Sequence, residues 1–139
     1  MSYPMPQSGF IWLTEEQWSK IDWLAQIEEQ TTRYFVECDL EYPPKLHDSR
    51  NDYPLAPERF AVTPSVLSEK QVELARHYST GVRQKEGKLL PSLLNKAQYV
   101  THYLNLKFYI AHGIKLMKIH RVIQFHHSRW LQPYIPKNT

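Results

Sequence analysis

The chain has 139 residues, 42% of them hydrophobic and 22% charged, a balance typical of a globular domain or a piece of one, which excludes wholesale disorder. No apolar run approaches the roughly 18 residues of a membrane span, "MSYPMPQSGF" lacks the basic start and apolar core of a leader, and the single Cys38 excludes an internal disulfide. The net charge of +3 conceals an asymmetry: residues 1–69 carry 5 Lys/Arg against 12 Asp/Glu, net −7, and residues 70–139 carry 12 against 2, net +10.

Residues 1–13 read as an extended lead-in. Thr14, with Gln17 three positions on, predicts a capping box. Trp18, Ile21, Leu24 and Ala25 then recur at helical spacing, so the pattern predicts an amphipathic helix over about 15–27. "RYFVECDLEY" (33–42) alternates strictly. Tyr34, Val36, Cys38, Leu40 and Tyr42 share one face and Glu37, Asp39 and Glu41 the other, which predicts a half-buried strand stopped by Pro43-Pro44. "HDSRNDYPLAPERF" reads as a turn-rich loop. Ser68 and Gln71 repeat the capping-box spacing and predict a second helix through about residue 79.

In the basic half, "KLLPSLL" is a short apolar segment, "NK" (95–96) a turn and "QYVTHY" (98–103) a strand. Residues 104–112 form a short helix that buries some of Leu106, Phe108, Tyr109 and Ile110, ended by Gly113 in the left-handed conformation. Residues 114–125 predict a long strand. Alternation places Met117, Ile119, Ile123 and Phe125 on one face with Arg121, and Ile114, Leu116, Lys118, His120, Val122 and Gln124 on the other. Ser128 starts a last short helix carrying Trp130, Leu131 and Tyr134, limited by Pro133. The fold class is α+β with at least one antiparallel pair.

Three constellations invite chemistry, and two are bland. Glu37, Asp39 and Glu41 succeed one another about 6.6 Å apart along one strand face. Hard divalent cations want such oxygens, but one strand cannot close a two-metal site, so the row reads as a solvent-facing polar stripe. The histidines lack a zinc-like spacing, and His126-His127 point to opposite faces of a strand. Cys38 sits on the apolar face of its strand with nothing local to activate it, so it reads as a core residue, and there is no glycine-rich phosphate loop. The third constellation is basic: Lys107, Lys115, Lys118, His120 and Arg121, interleaved with Phe108 and Tyr109 and followed by Trp130 and Tyr134. Cations beside aromatics can track a phosphate backbone and stack on bases. The same lysines also suit a protected strand edge, and the two halves of the chain could instead neutralise each other.

Read together, "MSYPMPQSGFIWL", "YFVECDLEYPPKLHDSRNDYPLAPERF" and "KLLPSLLNKAQYVTHYLNLKFYIAHGIKLMKIHRVIQFHHSRWLQPYIPKNT" resemble protein-primed family B DNA polymerases, in the version carried by Maverick/Polinton-type transposons and related viruses. The resemblance runs over nearly the whole chain, with "HDSRNDYPLAPE" and "KIHRVIQFHHSRWLQPYI" its most specific blocks. It implies a fragment of a right-hand polymerase, a partial palm-type sheet of antiparallel strands with short helices, lying between the first palm motif and the fingers. Residues 1–139 are then one partial polymerase region, acidic over 1–69 with an insertion-like loop and basic over 70–139 on the approach to the fingers. Met1 corresponds to an internal methionine of a longer ancestor.

The parent reaction is nucleotidyl transfer with two Mg ions. The resemblance places both metal-binding aspartates and the fingers lysine outside this chain, so no catalytic residue, metal ligand or cofactor is expected within it. "CDLEYP" has too few residues between Asp39 and Tyr42 to be the palm motif, and Asp39 takes no catalytic role. The implied partners are DNA, a priming protein and the remainder of the polymerase, without a membrane, at a nuclear or viral replication site. The residues expected to touch phosphate are Lys115, Lys118 and Arg121, with Lys107 next; Trp130 and Tyr134 are expected to pack rather than stack. The alternative is a non-catalytic DNA-binding or protein-interaction module derived from a transposon polymerase.

Overall fold

A computed structural model describes residues 4–25, 31–63, 65, 67–78, 87–130, 132 and 134. The fold is mixed α+β: an antiparallel sheet with a few short helices. The chain divides into two compact units, residues 1–46 with 94–139, and residues 47–93. The change from acidic to basic composition near residue 69 therefore falls inside the second unit. Among the described residues, no helix is long and apolar enough to cross a membrane.

The first unit is a four-stranded sheet in the order β1 (Met5–Leu13), β6 (Lys115–Ser128), β2 (Thr32–Glu41), β5 (Lys96–His102), with every neighbour antiparallel. β2 is the strand that the 33–42 alternation predicts. Val36, Cys38 and Leu40 are buried, while Glu37, Asp39 and Glu41 are half-exposed. The helix α4 (Tyr103–Ala111) covers the apolar face, burying Tyr103, Leu106 and Tyr109. Tyr103 packs edge-on to Tyr34 and Tyr109 tilts against Tyr99, whose register partner is Cys38. On the opposite face Phe125 is fully buried among Phe10, Phe35 and His102, with ring centroids 5.1–5.9 Å away.

Gly113 ends α4 as expected, at φ +97, and its Cα faces Leu46 so closely that a Cβ would meet Leu46 Cδ2 at 3.1 Å. The lead-in over 1–13, in contrast, is an edge strand. An edge tolerates Pro6, and Gly9 at φ +67 sits where the pairing with β6 slips, between Ser8 and Ile11. A Cβ there would fall 2.3 Å from His126 Cδ2.

The helix expected over about 15–27 is a single turn, α1 (Glu15–Trp18). Gln17 Oε1 caps it by accepting the Thr14 N–H at 2.8 Å. Asp22 then diverts the chain: its Oδ1 accepts the N–H of Leu24 (2.9 Å) and of Ala25 (3.1 Å), offering the backbone a turn in place of a helical ladder. Residues 26 and 27 lie outside the described residues. The "NK" turn is displaced, because Lys96 already belongs to β5 and is buried, while Asn95 Oδ1 accepts the Tyr42 N–H at 2.8 Å. Ser128 is the last residue of β6 and not a helix cap; a turn closed by Gln132 N–H to Arg129 O follows, and Leu131 and Pro133 lie outside the described residues.

The second unit holds α2 (His47–Arg50), α3 (Glu69–Tyr78) and an antiparallel pair, β3 (Glu58–Phe60) with β4 (Lys88–Leu90). α3 carries the expected capping box in full: Ser68 N–H donates to Gln71 Oε1 (2.9 Å) and Gln71 N–H to Ser68 Oγ (3.3 Å). β3 and β4 fall where the sequence reads as loop and as a short apolar segment.

Candidate nucleic-acid interface

The basic strip lies on β6, the strand held between β1 and β2. Strict alternation sends Lys118 to the face opposite Lys115 and Arg121, but the structure does not. The pairing of β6 with β2 slips twice, between Glu37 and Cys38 and between Asp39 and Leu40. The register therefore sets Arg121 opposite Glu37, Lys118 opposite Asp39 and Lys115 opposite Glu41, while Ile119 and Leu116 oppose the buried Cys38 and Leu40. Directly opposed residues share a sheet face, so all three cations stand on the carboxylate side. Each bulge adds one residue and restores the parity that alternation breaks.

Two of the three cations are paired there. Lys115 Nζ lies 2.8 Å from Glu41 Oε1, and Arg121 Nε donates to Glu37 Oε2. Lys118 is exposed and has no carboxylate at ion-pair distance among the described residues; Asp39 feels its charge only as the weakest of several influences. Lys107 lies on α4, on the other side of the sheet, and the structure does not bring it to the strip.

Asp39 serves the sheet. Its Oδ1 accepts the Gln98 N–H at 2.8 Å, where Gln98 adopts φ +51 at the irregularity between β2 and β5. That hydrogen bond, then the neighbouring His120, hold the carboxyl below its ordinary range. His120 Nε2 stands 2.8 Å from the same oxygen, out of line for a straight hydrogen bond. Among the described residues, no three of His, Cys, Asp and Glu converge as metal ligands; the oxygens of the carboxylate row face basic partners. Cys38 is fully buried, and burial, followed by the charges of Asp39 and Glu37, pushes its thiol up to about 12. It is a core residue without nucleophilic character.

Beside the strip an open groove of about 540 Å³ runs between β6 and the β1–α1 corner, lined by Trp12, Trp18, Glu15, Lys118, His120 and Arg121 with two aliphatic neighbours. The Arg121 guanidinium lies 5.5 Å from the Trp12 ring centroid, a cation–π contact, and Trp12 remains 61% exposed. Trp130 and Tyr134, expected to pack, instead lie past the end of β6 and are exposed.

The tryptophans that accompany the cations are thus Trp12 and Trp18, about a hundred positions upstream. "FIWL" reads as lead-in, and nothing in local pattern pairs it with β6; the only available signal was an apolar run containing Trp12 just before a helix cap. Comparison with family models, with curated proteins and with solved structures returned no match.

Proposed function

We propose that this chain is the DNA-contacting interval between the first palm motif and the fingers of a protein-primed family B DNA polymerase, and that on its own it holds DNA without copying it. One observation supports the contact most directly: the two bulges in β6 collect Lys115, Lys118 and Arg121 on one sheet face next to exposed aromatic surface. Lys118 is open to a phosphate, while Glu41 and Glu37 hold Lys115 and Arg121, whose charge still draws a DNA backbone toward the strip. The parent polymerase supplies its two metal-binding aspartates from flanking segments, and the part played here is positioning.

The test is binding of a labelled primer–template to the purified 139-residue chain by fluorescence anisotropy across salt. The logarithm of affinity falls against log salt with a slope between that of one phosphate contact, about 0.7–0.9, and that of three, about 2–2.7. Joint reversal at Lys115, Lys118 and Arg121 to Glu removes that dependence. Absent or salt-independent binding refutes the reading. Primer extension with magnesium yields no product from this chain; genuine incorporation would overturn the assignment of a holding role.

A further inference from the structure

We infer that the groove between β6 and the β1–α1 corner takes single-stranded DNA, with an unpaired base stacked on Trp12 and Lys118 on the adjoining phosphate. The inference rests on the DNA-contact reading and names the form of DNA the site accepts. An indole left 61% exposed at the rim of a groove is a large apolar platform turned to solvent. Arg121 fixes that ring from one side through its cation–π contact and is itself held by Glu37. The platform is therefore pre-ordered and loses little freedom when a base settles on it. Trp18 lines the same groove and offers a second apolar wall.

Charge complementarity decides the path of the strand. Glu15 lines the groove and Glu37 stands behind Arg121, so phosphates are repelled from those sides. The exposed Lys118, without a carboxylate at ion-pair distance among the described residues, is the cation open to them. Bases point to Trp12 and the backbone follows Lys118. A duplex keeps its base faces stacked on one another, so it can use Lys118 but not the indole; only an unpaired strand satisfies both. The volume of about 540 Å³ lies within the range of clefts that hold ligands of nucleotide size.

The experiment titrates the full chain with a labelled single-stranded DNA oligonucleotide, the same sequence as RNA and the same sequence as a duplex, following anisotropy and intrinsic tryptophan fluorescence. Single-stranded DNA binds more tightly than duplex and quenches the tryptophan signal. Trp12→Ala weakens single-strand binding about fivefold or more, the smallest effect expected for loss of one stacked base, and removes part of the quenching. Trp12→Tyr, which keeps an aromatic face, restores most of the affinity and shows that the alanine variant did not fail for want of folding. Trp130→Ala, beyond the end of β6, binds as the natural chain does. Equal affinity for duplex and single strand, with Trp12→Ala unchanged but Lys118→Glu weakened, overturns the groove and leaves the DNA-contact reading standing. RNA bound more tightly than DNA overturns the assignment to DNA. No binding to any of the three nucleic acids overturns both readings.

Discussion

Replacing Glu37 and Glu41 together with glutamine tests whether the carboxylate row holds the basic strip in check. Each carboxylate meets a strip cation directly: Glu41 Oε1 lies 2.8 Å from Lys115 Nζ, and Glu37 accepts the Arg121 Nε–H. Glutamine keeps the length and a carbonyl acceptor, and the β2–β6 ladder is made by backbone groups, so the sheet persists. What changes is charge, because two neutralised cations become available to two phosphates. Each added phosphate contact steepens the salt dependence by about 0.7 for a single strand. Two such contacts add up to about 1.4 to the slope, which over the fourfold range from about 50 to 200 mM salt is a further loss of about sevenfold. At the low-salt end the variant binds more tightly than the natural chain. Anisotropy titrations at four or five salt concentrations measure both quantities. An unchanged slope with unchanged low-salt affinity would show that Lys115 and Arg121 do not reach phosphate, and would leave the row and the strip as ordinary cross-strand pairs.

Leu106→Ala, which empties a fully buried position of α4, lowers unfolding free energy in urea by about 2–5 kcal/mol, whereas Phe108→Ala on the exposed side of the same helix stays within about 0.5 kcal/mol. Gly113→Ala forces φ +97 on an L side chain and meets Leu46 at 3.1 Å, so it costs at least about 1–2 kcal/mol by the same assay. Cys38 resists iodoacetamide in the folded chain near pH 8 and reacts once urea unfolds it, since burial raises the thiol to about 12; fast labelling of the folded chain by mass spectrometry would contradict its burial. His102, lowered to about 4 mainly by burial and next by the charges of Arg33 and His127, binds its proton more readily unfolded, where the value is about 6.5. Stability therefore falls as pH drops from about 6.5 to about 4 and loses nothing further from this group below that. His102→Asn, which keeps an acceptor for the Leu104 N–H at the start of α4, flattens that part of the pH curve.

What the sequence made legible was whatever depends on a few neighbouring residues. The period-two run from Tyr34 to Tyr42 sorts its own faces, because each side chain's side is set by its predecessor. Gly113 and the two Ser/Thr–Gln caps are decided within four positions and stand as expected. Asp22 was local too, yet apolar spacing across Trp18, Ile21, Leu24 and Ala25 outweighed a side chain whose turn-forming hydrogen bonds depend on conformation rather than on period. The strip on β6 failed for a different reason. Alternation is a rule for a strand with even pairing, and the faces of Lys118 and Arg121 are set by slips against β2, some eighty residues away in the chain. A bulge leaves no mark in the strand that carries it beyond a break in the apolar parity, and here that break was already visible: Ile119 and Val122 both need burial although they lie three apart. Three apart on a strand means opposite faces unless one residue is extra. The residues between them, His120 and Arg121, then turn outward together, which brings Arg121 to the face of Lys118, while the face of Lys115 is set by the second slip, between Asp39 and Leu40.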